Sequence, residues 1–200
     1  RNHGENLIES ENFSPKSMTN IVGFNFRMTE IEAAIAKEQL KKMNQLNDVR
    51  IGHVNYLNEK LHKYPGLVMP KVRENCTHVY YMHAMKFISE KAGFSRGAFT
   101  RALLSEGIPI RGGYVRPLYL EPIFQRQIAI GDQGYPFKGP HYQGEVNYKK
   151  GLCPVAEDLF ENKVLINPFV YPPLDRSDMD QIISSIDKIY SNSSTLISIC

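Results

Sequence analysis

The sequence predicts a mixed fold in which a long helix leads into a small α+β domain, and three observations support this class. Thr29 followed three residues later by Glu32 is a capping-box signature at the start of a helical pattern. Residues 78–87 alternate with the two-residue period of a strand. Strand-like and helix-like segments then follow one another to a last amphipathic helix, as in α+β domains.

The first predicted element is a helix over residues 29–63. Its apolar residues recur at helical spacing, and charged residues occupy the opposite face. Because the pattern exceeds 30 residues, we expect a break at residues 44–48 or at Gly52. Tyr64-Pro65-Gly66 ends the segment as a turn. The apolar stripe consists of Met28, Ile31, Ile35, Met43 and Leu46.

Later segments are predicted to form strands at 67–70, 78–87, 108–114 and 164–166. In the second strand, His78 and Tyr80 share one face, and His83 lies on the other. Helices are expected at 96–106, with Ser95 as its cap and Gly107 as its left-handed end, and at 154–161. A final helix begins at a cap formed by Asp175 or Ser177, and residues 191–200 are expected to be a frayed tail.

Residues 115–150 are not assigned to helix or strand, although they are rich in aromatic side chains. Such composition argues against disorder. A long irregular segment in a compact protein is usually functional or disordered, so we expect this one to be functional.

Composition excludes several function classes. A net charge of +3, with scattered basic residues, argues against a nucleic-acid partner. No run of 18 apolar residues occurs, so no membrane span is predicted. The three cysteines are far apart, which favours reduced thiols in the cytoplasm over a disulfide framework. The histidines and cysteines lack metal-ligand spacing, and no metal site is predicted.

A short loop before the first helix carries the strongest functional signal. In extended backbone, Asn25 and Arg27 project together, while Phe24, Phe26 and Met28 anchor the loop on the other side. An amide and a guanidinium at a helix N-terminus suit a phosphate or another anion. The alternative is a well-capped core helix that follows a surface asparagine and arginine.

These residues also carry a resemblance. The pattern Gly-x-Asn-x-Arg-Met-x-Glu-Ile-x-Ala-Ala-Ile at residues 23–35, preceded by Arg1-Asn2-His3-Gly4, resembles the DegT/DnrJ/EryC1/StrS family of pyridoxal-phosphate (PLP)-dependent sugar aminotransferases. The likeness continues in the family's order through Gly107-Ile108, Pro117-Leu118-Tyr119 and Cys153-Pro154-Val155-Ala156-Glu157. It spans most of the chain.

The resemblance implies the C-terminal part of the aspartate-aminotransferase-like fold, fold type I. Residues 1–28 would end the large PLP-binding domain and form an interface loop. Residues 29–63 would be a long interdomain helix or a broken helix pair, and residues 64–200 would form the small α+β domain. The lysine that forms the Schiff base is expected upstream of Arg1, so the chain alone is predicted to be inactive.

The resemblance further implies the roles of individual residues. Asn25 would contact the PLP phosphate of a partner subunit, and Arg27 would contact that site and the substrate. His78, Tyr80, Tyr114, Arg116 and Tyr119 would contact the sugar or its diphosphate. The structural alternatives are a strand core for His78 and Tyr80 and a buried, hydrogen-bonded tyrosine for Tyr114 and Tyr119. Tyr114 and Tyr119 replace two histidines that are common in the family's loop.

The implied activity is transfer of an amino group from glutamate or glutamine to a keto-sugar, usually nucleotide-linked, for polysaccharide or aminosugar synthesis. A homodimer with shared active sites follows from the role of Asn25. Two alternatives remain open: a PLP-dependent sugar dehydratase of the same fold, and a truncated, non-catalytic binding module.

Overall fold

The computed structural model describes residues 24–197. Contacts divide the chain into two units, Arg1–Gln45 and Leu46–Cys200. The motif at residues 1–4 and the loop predicted over residues 1–21 lie outside the described residues. Within the part that is described, no helix is both long and apolar enough to cross a membrane.

Helix α1, Glu30–Leu61, is 32 residues long and uninterrupted, so the expected break is wrong. A single helical glycine such as Gly52 costs only about 1 kcal/mol, which tertiary packing outweighs. Three residues of its last turns, Val54, Leu57 and Leu61, are fully buried in the core of the second unit. The apolar stripe of the first turns is exposed: Ile31, Ile35 and Met43 have exposed fractions of 74%, 60% and 47%.

Four short strands form one antiparallel sheet in the order β1-β2-β4-β3. They are β1 (Leu67–Val68), β2 (His83–Phe87), β3 (Arg111–Gly112) and β4 (Val164–Asn167). The strands predicted at 67–70, 78–87 and 108–114 are thus shorter than expected, whereas β4 matches its prediction closely. Alternation in β2 buries His83, Met85 and Phe87 against the core.

Helices cover the core face of the sheet. They include α3 (Arg96–Ser105), whose cap Ser95 accepts a hydrogen bond from the Ala98 amide, and α6 (Arg176–Ser191). Asp175, not Ser177, caps α6, in a reciprocal capping box with Asp178. The core includes Phe87, Phe94 and Phe99 together with Met179, Ile182, Ile186 and Ile189 of α6. Gly107 has a φ of +82°, as its predicted role as a left-handed end requires.

Short helices complete the second unit. They are α2 (Ser89–Ala92), α4 (Pro122–Arg126), α5 (Pro154–Asp158) and α7 (Ser193–Ile197), with a 3₁₀ turn at Leu118–Leu120 and a π-helical turn at Leu159–Lys163. The helix predicted at 154–161 is therefore divided into α5 and the π turn. The frayed tail predicted from residue 191 is wrong over α7. In the unassigned segment, the rings of Phe124, Phe137 and Tyr148 pack edge to face, with interplanar angles of 67–84° and centroids 5.4–6.0 Å apart.

Candidate functional site

The loop ahead of α1, residues 24–29, brings Asn25 and Arg27 together as the alternation predicts. The Asn25 Oδ1 atom accepts hydrogen bonds from the Arg27 backbone N–H at 3.1 Å and from its Nε at 3.4 Å. These bonds restrict the Arg27 side chain to a conformation in which its guanidinium lies beside the Asn25 amide. An amide and a cation so paired can jointly bind an anion.

The capping box that fixes this loop to α1 forms as predicted. The Thr29 backbone N–H donates to Glu32 Oε2 at 2.8 Å, and the Glu32 N–H donates to Thr29 Oγ1 at 3.3 Å. The bond from the Thr29 N–H, followed by one that the Thr29 hydroxyl donates to the same Glu32 Oε2 at 3.0 Å, holds the pKa of the Glu32 carboxyl below its ordinary value. The polar pair therefore lies directly at the N-terminus of a long helix.

The three apolar residues that were predicted to anchor this loop are exposed, so that prediction is wrong. Phe24, Phe26 and Met28 are exposed by 73%, 72% and 64%. The rings of Phe24 and Phe26 lie beside each other, with 5.8 Å between their centroids. Alternate apolar residues become buried only where a second layer covers them, and the described residues supply none here.

His78 and Tyr80 do not lie on a strand, which corrects the predicted alternation. The Tyr80 N–H donates to His78 Nδ1 at 2.9 Å, and the two rings stack at 4.1 Å. Tyr80 is buried and has a φ of +48°, which the strand model did not anticipate. His78 itself is exposed, although it stacks on the buried Tyr80. The pair is thus a locally locked turn, and its binding role stays a prediction.

The three residues of the following loop differ in environment. Tyr114 and Arg116 are exposed. Tyr119 is half-buried: its hydroxyl donates to Glu157 Oε1 and accepts from the Cys153 N–H at 3.3 Å. Burial, followed by the bond to Glu157, raises the pKa of Tyr119. A hydrogen-bonded, partly buried tyrosine therefore fits Tyr119 but not the exposed Tyr114, and the binding roles of all three residues stay predictions.

Glu157 is a residue to which the sequence analysis gave no role. It is buried, and its Oε1 also accepts from the Gly151 N–H at 2.6 Å. The hydrogen bond from Tyr119 is the first cause of a lowered pKa at this carboxylate. Its place in Cys153-Pro154-Val155-Ala156-Glu157 was the available signal, because a carboxylate in an apolar helical turn needs partners.

A second polar group was also missed. His83 is fully buried, and its Nε2 lies 2.9 Å from Asn58 Oδ1 of α1. Asn167 lies directly opposite His83 in the β2–β4 register, and its Oδ1 accepts from the Phe169 N–H at 2.9 Å. Sequence alternation placed His83 on a face but did not indicate that this face was the core.

The sequence of the chain matches a known protein family. The model of the DegT/DnrJ/EryC1/StrS aminotransferase family matches residues 1–136. The chain belongs to this family. The match includes the Asn25 loop, α1 and the turn that holds His78 and Tyr80.

Relatives extend the likeness beyond the family match. The chain is 22% identical to the spore coat polysaccharide biosynthesis protein SpsC of Bacillus subtilis over 84% of its length and 38% of that protein's. It is 30% identical to a dTDP-4-dehydro-2,6-dideoxy-D-glucose 3-dehydratase of Saccharopolyspora spinosa over 52% of the chain and 22% of the relative. The chain thus spans well under half the length of the curated relatives it matches.

Solved structures agree on the fold. The aminotransferase from Psychrobacter cryohalolentis superposes with a TM-score of 0.66 at 23% identity, covering 96% of this chain and 47% of that one. DesV of S. venezuelae gives a TM-score of 0.65 at 20% identity, covering 88% and 40%. The α+β architecture described above is therefore the corresponding part of the PLP aminotransferase fold, as the sequence predicted.

Proposed function

We propose that the chain is the C-terminal portion of a PLP-dependent aminotransferase that moves an amino group from glutamate or glutamine to a keto-sugar linked to a nucleotide. The hydrogen-bonded Asn25–Arg27 pair at the start of α1 carries the proposal. Family membership supports the reaction class, and relatives named for nucleotide sugars and for glutamine support the substrates.

The donor set of the Asn25 loop fits the phosphate of PLP. The Asn25 amide and the Arg27 guanidinium offer N–H donors beside the N-terminus of a 32-residue helix, and both features favour an anion. In a homodimer with shared sites, these residues would hold the phosphate of the partner's cofactor. When bound, PLP supplies the electron sink that lets an amino group leave one carbon and join another.

Retention of the cofactor tests this role. In the full-length PLP-loaded enzyme, Asn25→Ala should lose PLP on dialysis faster than the parent protein, as followed by absorbance. The expected loss of affinity is about tenfold, the size of one hydrogen bond to a charged group. Asn44→Ala, an exposed position farther along α1, is the matched control and should retain PLP. Equal retention in both variants would remove the assignment.

A sugar dehydratase of the same fold is the second candidate, because one relative is named as a 3-dehydratase. Product analysis separates the two. With glutamate as donor, an aminotransferase forms one 2-oxoglutarate for each aminosugar. A dehydratase forms a dehydrated sugar without accumulating the oxo acid in that ratio. Binding of sugar with neither product would favour a non-catalytic module.

A further inference from the structure

A surface cavity of about 390 Å³ lies in the loop between β1 and β2, and its polar lining consists of hydrogen-bond donors. Among the described residues that line it, none is a carboxylate. The donors come from an ammonium, a guanidinium, a thiol, a hydroxyl and an imidazole. These polar groups belong to Lys71, Arg73, Cys76, Thr77 and His78.

The two cations of this cavity form no ion pair with a carboxylate of residues 24–197, although Glu74 lies in the same loop. Lysines elsewhere form ion pairs, as Lys150 does with Glu161 at 2.5 Å and Lys188 with Glu106 at 2.7 Å. Neither Lys71 nor Arg73 takes part in an ion pair among the described residues. With Glu74 counted, residues 71–78 carry two basic and one acidic side chain, so the loop keeps one net positive charge that attracts an anion.

The orientation of the imidazole is fixed by its neighbour. Because His78 Nδ1 accepts the Tyr80 N–H at 2.9 Å, the proton of the neutral ring lies on Nε2, which makes that atom a donor. The ring also stacks on the buried Tyr80. Tyr80 adopts a φ of +48°, a conformation that is costly for an aromatic residue. Such strain is concentrated at binding sites, where it preorganises a side chain.

A second cavity, with an apolar lining, adjoins the first. It has a volume of about 410 Å³, shares Lys71 with the first cavity, and is lined by the outer face of the sheet. Its floor is apolar, including Val68, Ala84 and Val164, and Lys86 adds a second cation. The volume is within the range of small-molecule sites. A ligand that fits both cavities carries an anionic group beside an apolar or ring-shaped part.

We propose that Lys71, Arg73, Thr77 and His78 form a binding site for a phosphate or diphosphate group, with the rest of the ligand in the apolar cavity beside it. A nucleotide-linked sugar has this chemistry, so the site would hold the diphosphate of the substrate class proposed above. Only the identity of the natural ligand depends on that proposed function. The anion site itself depends on the geometry of the β1–β2 loop.

Binding of inorganic pyrophosphate to the purified protein, measured by calorimetry at about 0.15 M salt, tests the site. We expect saturable binding that weakens about tenfold or more in Lys71→Ala/Arg73→Ala, since each change removes a charge-assisted contact. Lys91→Ala/Arg126→Ala removes the same two charges at exposed positions elsewhere and should leave affinity unchanged. Equal weakening in both double variants, or no saturable binding by the parent, would overturn the proposal.

A third variant separates the imidazole from general charge. His78→Asn keeps a side-chain acceptor for the Tyr80 N–H, in the turn that Asn25 makes with the Arg27 amide, but withdraws the Nε2 donor. We expect roughly fivefold weaker pyrophosphate binding with unchanged folding by circular dichroism. Unchanged affinity would exclude His78 from the site. Because no PLP or amino donor is added, failure here is distinct from failure of the aminotransferase proposal.

Discussion

The guanidinium of Arg96 lies in the space that a side chain at Gly112 would need. A Cβ atom built on Gly112 would lie 2.9 Å from Arg96 Nε and 3.0 Å from its Cζ. The guanidinium donates to the carbonyl oxygens of Phe160 at 3.0 Å, Val164 at 2.9 Å and Glu161. Arg96 thus joins α3 to the end of the π turn, and Gly112 leaves room for it next to β4.

A double-mutant cycle measures this coupling. Arg96→Ala should lower the free energy of unfolding by about 1–3 kcal/mol, because three carbonyl groups, two of them partly buried, lose a charged donor. Gly112→Ala should cost about 1–3 kcal/mol by displacing the guanidinium. The double variant should be clearly less destabilised than the sum, as measured by urea denaturation.

Gly97→Ala is the matched control for this cycle. Its added Cβ would come no nearer than 3.4 Å to another side chain, and Gly97 lies within α3. A helical Gly→Ala change that makes only ordinary van der Waals contacts stabilises by about 0.5–1 kcal/mol. Additive effects in the Arg96/Gly112 cycle would contradict the shared-space argument.

Local signals predicted the helices of this fold better than its strands. The Thr29/Glu32 and Asp175/Asp178 boxes are complete within four residues, so both helix starts could be read from the sequence. The strand predicted at residues 78–87 is absent over its first half, because the local His78–Tyr80 stack and the burial of Tyr80 in the core override alternation. Contacts such as Arg96 with the carbonyls near residue 160 join distant segments and leave no local pattern.

Buried His83 should make the stability of the second unit depend on pH. Burial, with a smaller effect of nearby His78, lowers the pKa of His83 from 6.5 to about 4. The unfolded chain therefore takes up a proton near pH 6.5, whereas the folded chain does so only near pH 4. The stabilisation is complete above pH 6.5 and is lost as the pH falls towards 4, by on the order of 3 kcal/mol.

Urea denaturation between pH 7.5 and 5 isolates this titration from most carboxylates, whose ordinary pKa values lie lower. The free energy of unfolding should fall by about 1.4 kcal/mol per pH unit below 6.5. His83→Gln should flatten this slope, whatever its effect at pH 7.5. His62→Gln, at an exposed position, should keep it. A slope that survives in His83→Gln would assign the pH dependence to other groups.

The hydrogen bond between Tyr119 and Glu157 should restrict the motion of the irregular segment before α5. Glu157 accepts both the Tyr119 hydroxyl and the Gly151 N–H, so it joins the two ends of residues 119–151. Tyr119→Phe should leave the secondary structure intact but open this segment more often. Trypsin should then cleave after Lys138 or Lys149 several-fold faster.

Tyr142→Phe removes a hydroxyl from an exposed ring of the same segment and should leave cleavage unchanged. If Tyr119→Phe instead raised the KM for the sugar with no change in cleavage, Tyr119 would act on the substrate, as the resemblance implied. The sequence could not separate these roles, because a tyrosine in a polar loop is compatible with both. The cleavage rate and the KM of Tyr119→Phe distinguish them.

The exposed apolar stripe of α1 should drive association of the protein with itself. Phe24, Ile31 and Ile35 are each at least 60% exposed, next to the Asn25 loop that we propose to serve a partner subunit. Burying one such side chain contributes about 1.5–3 kcal/mol, so an interface that covers the stripe would stabilise a dimer. Ile31→Lys/Ile35→Lys should raise the dimer dissociation constant at least about tenfold in sedimentation experiments.

Leu104→Lys is the control for this change, since Leu104 of α3 is 63% exposed but lies in the second unit. It should leave the dissociation constant unchanged. If Ile31→Lys/Ile35→Lys also leaves it unchanged while Asn25→Ala still releases PLP, the stripe is not the dimer contact and Asn25 serves a site on its own subunit. If both changes are without effect, the shared-site proposal is wrong, because neither the apolar nor the polar side of this helix start would meet a partner.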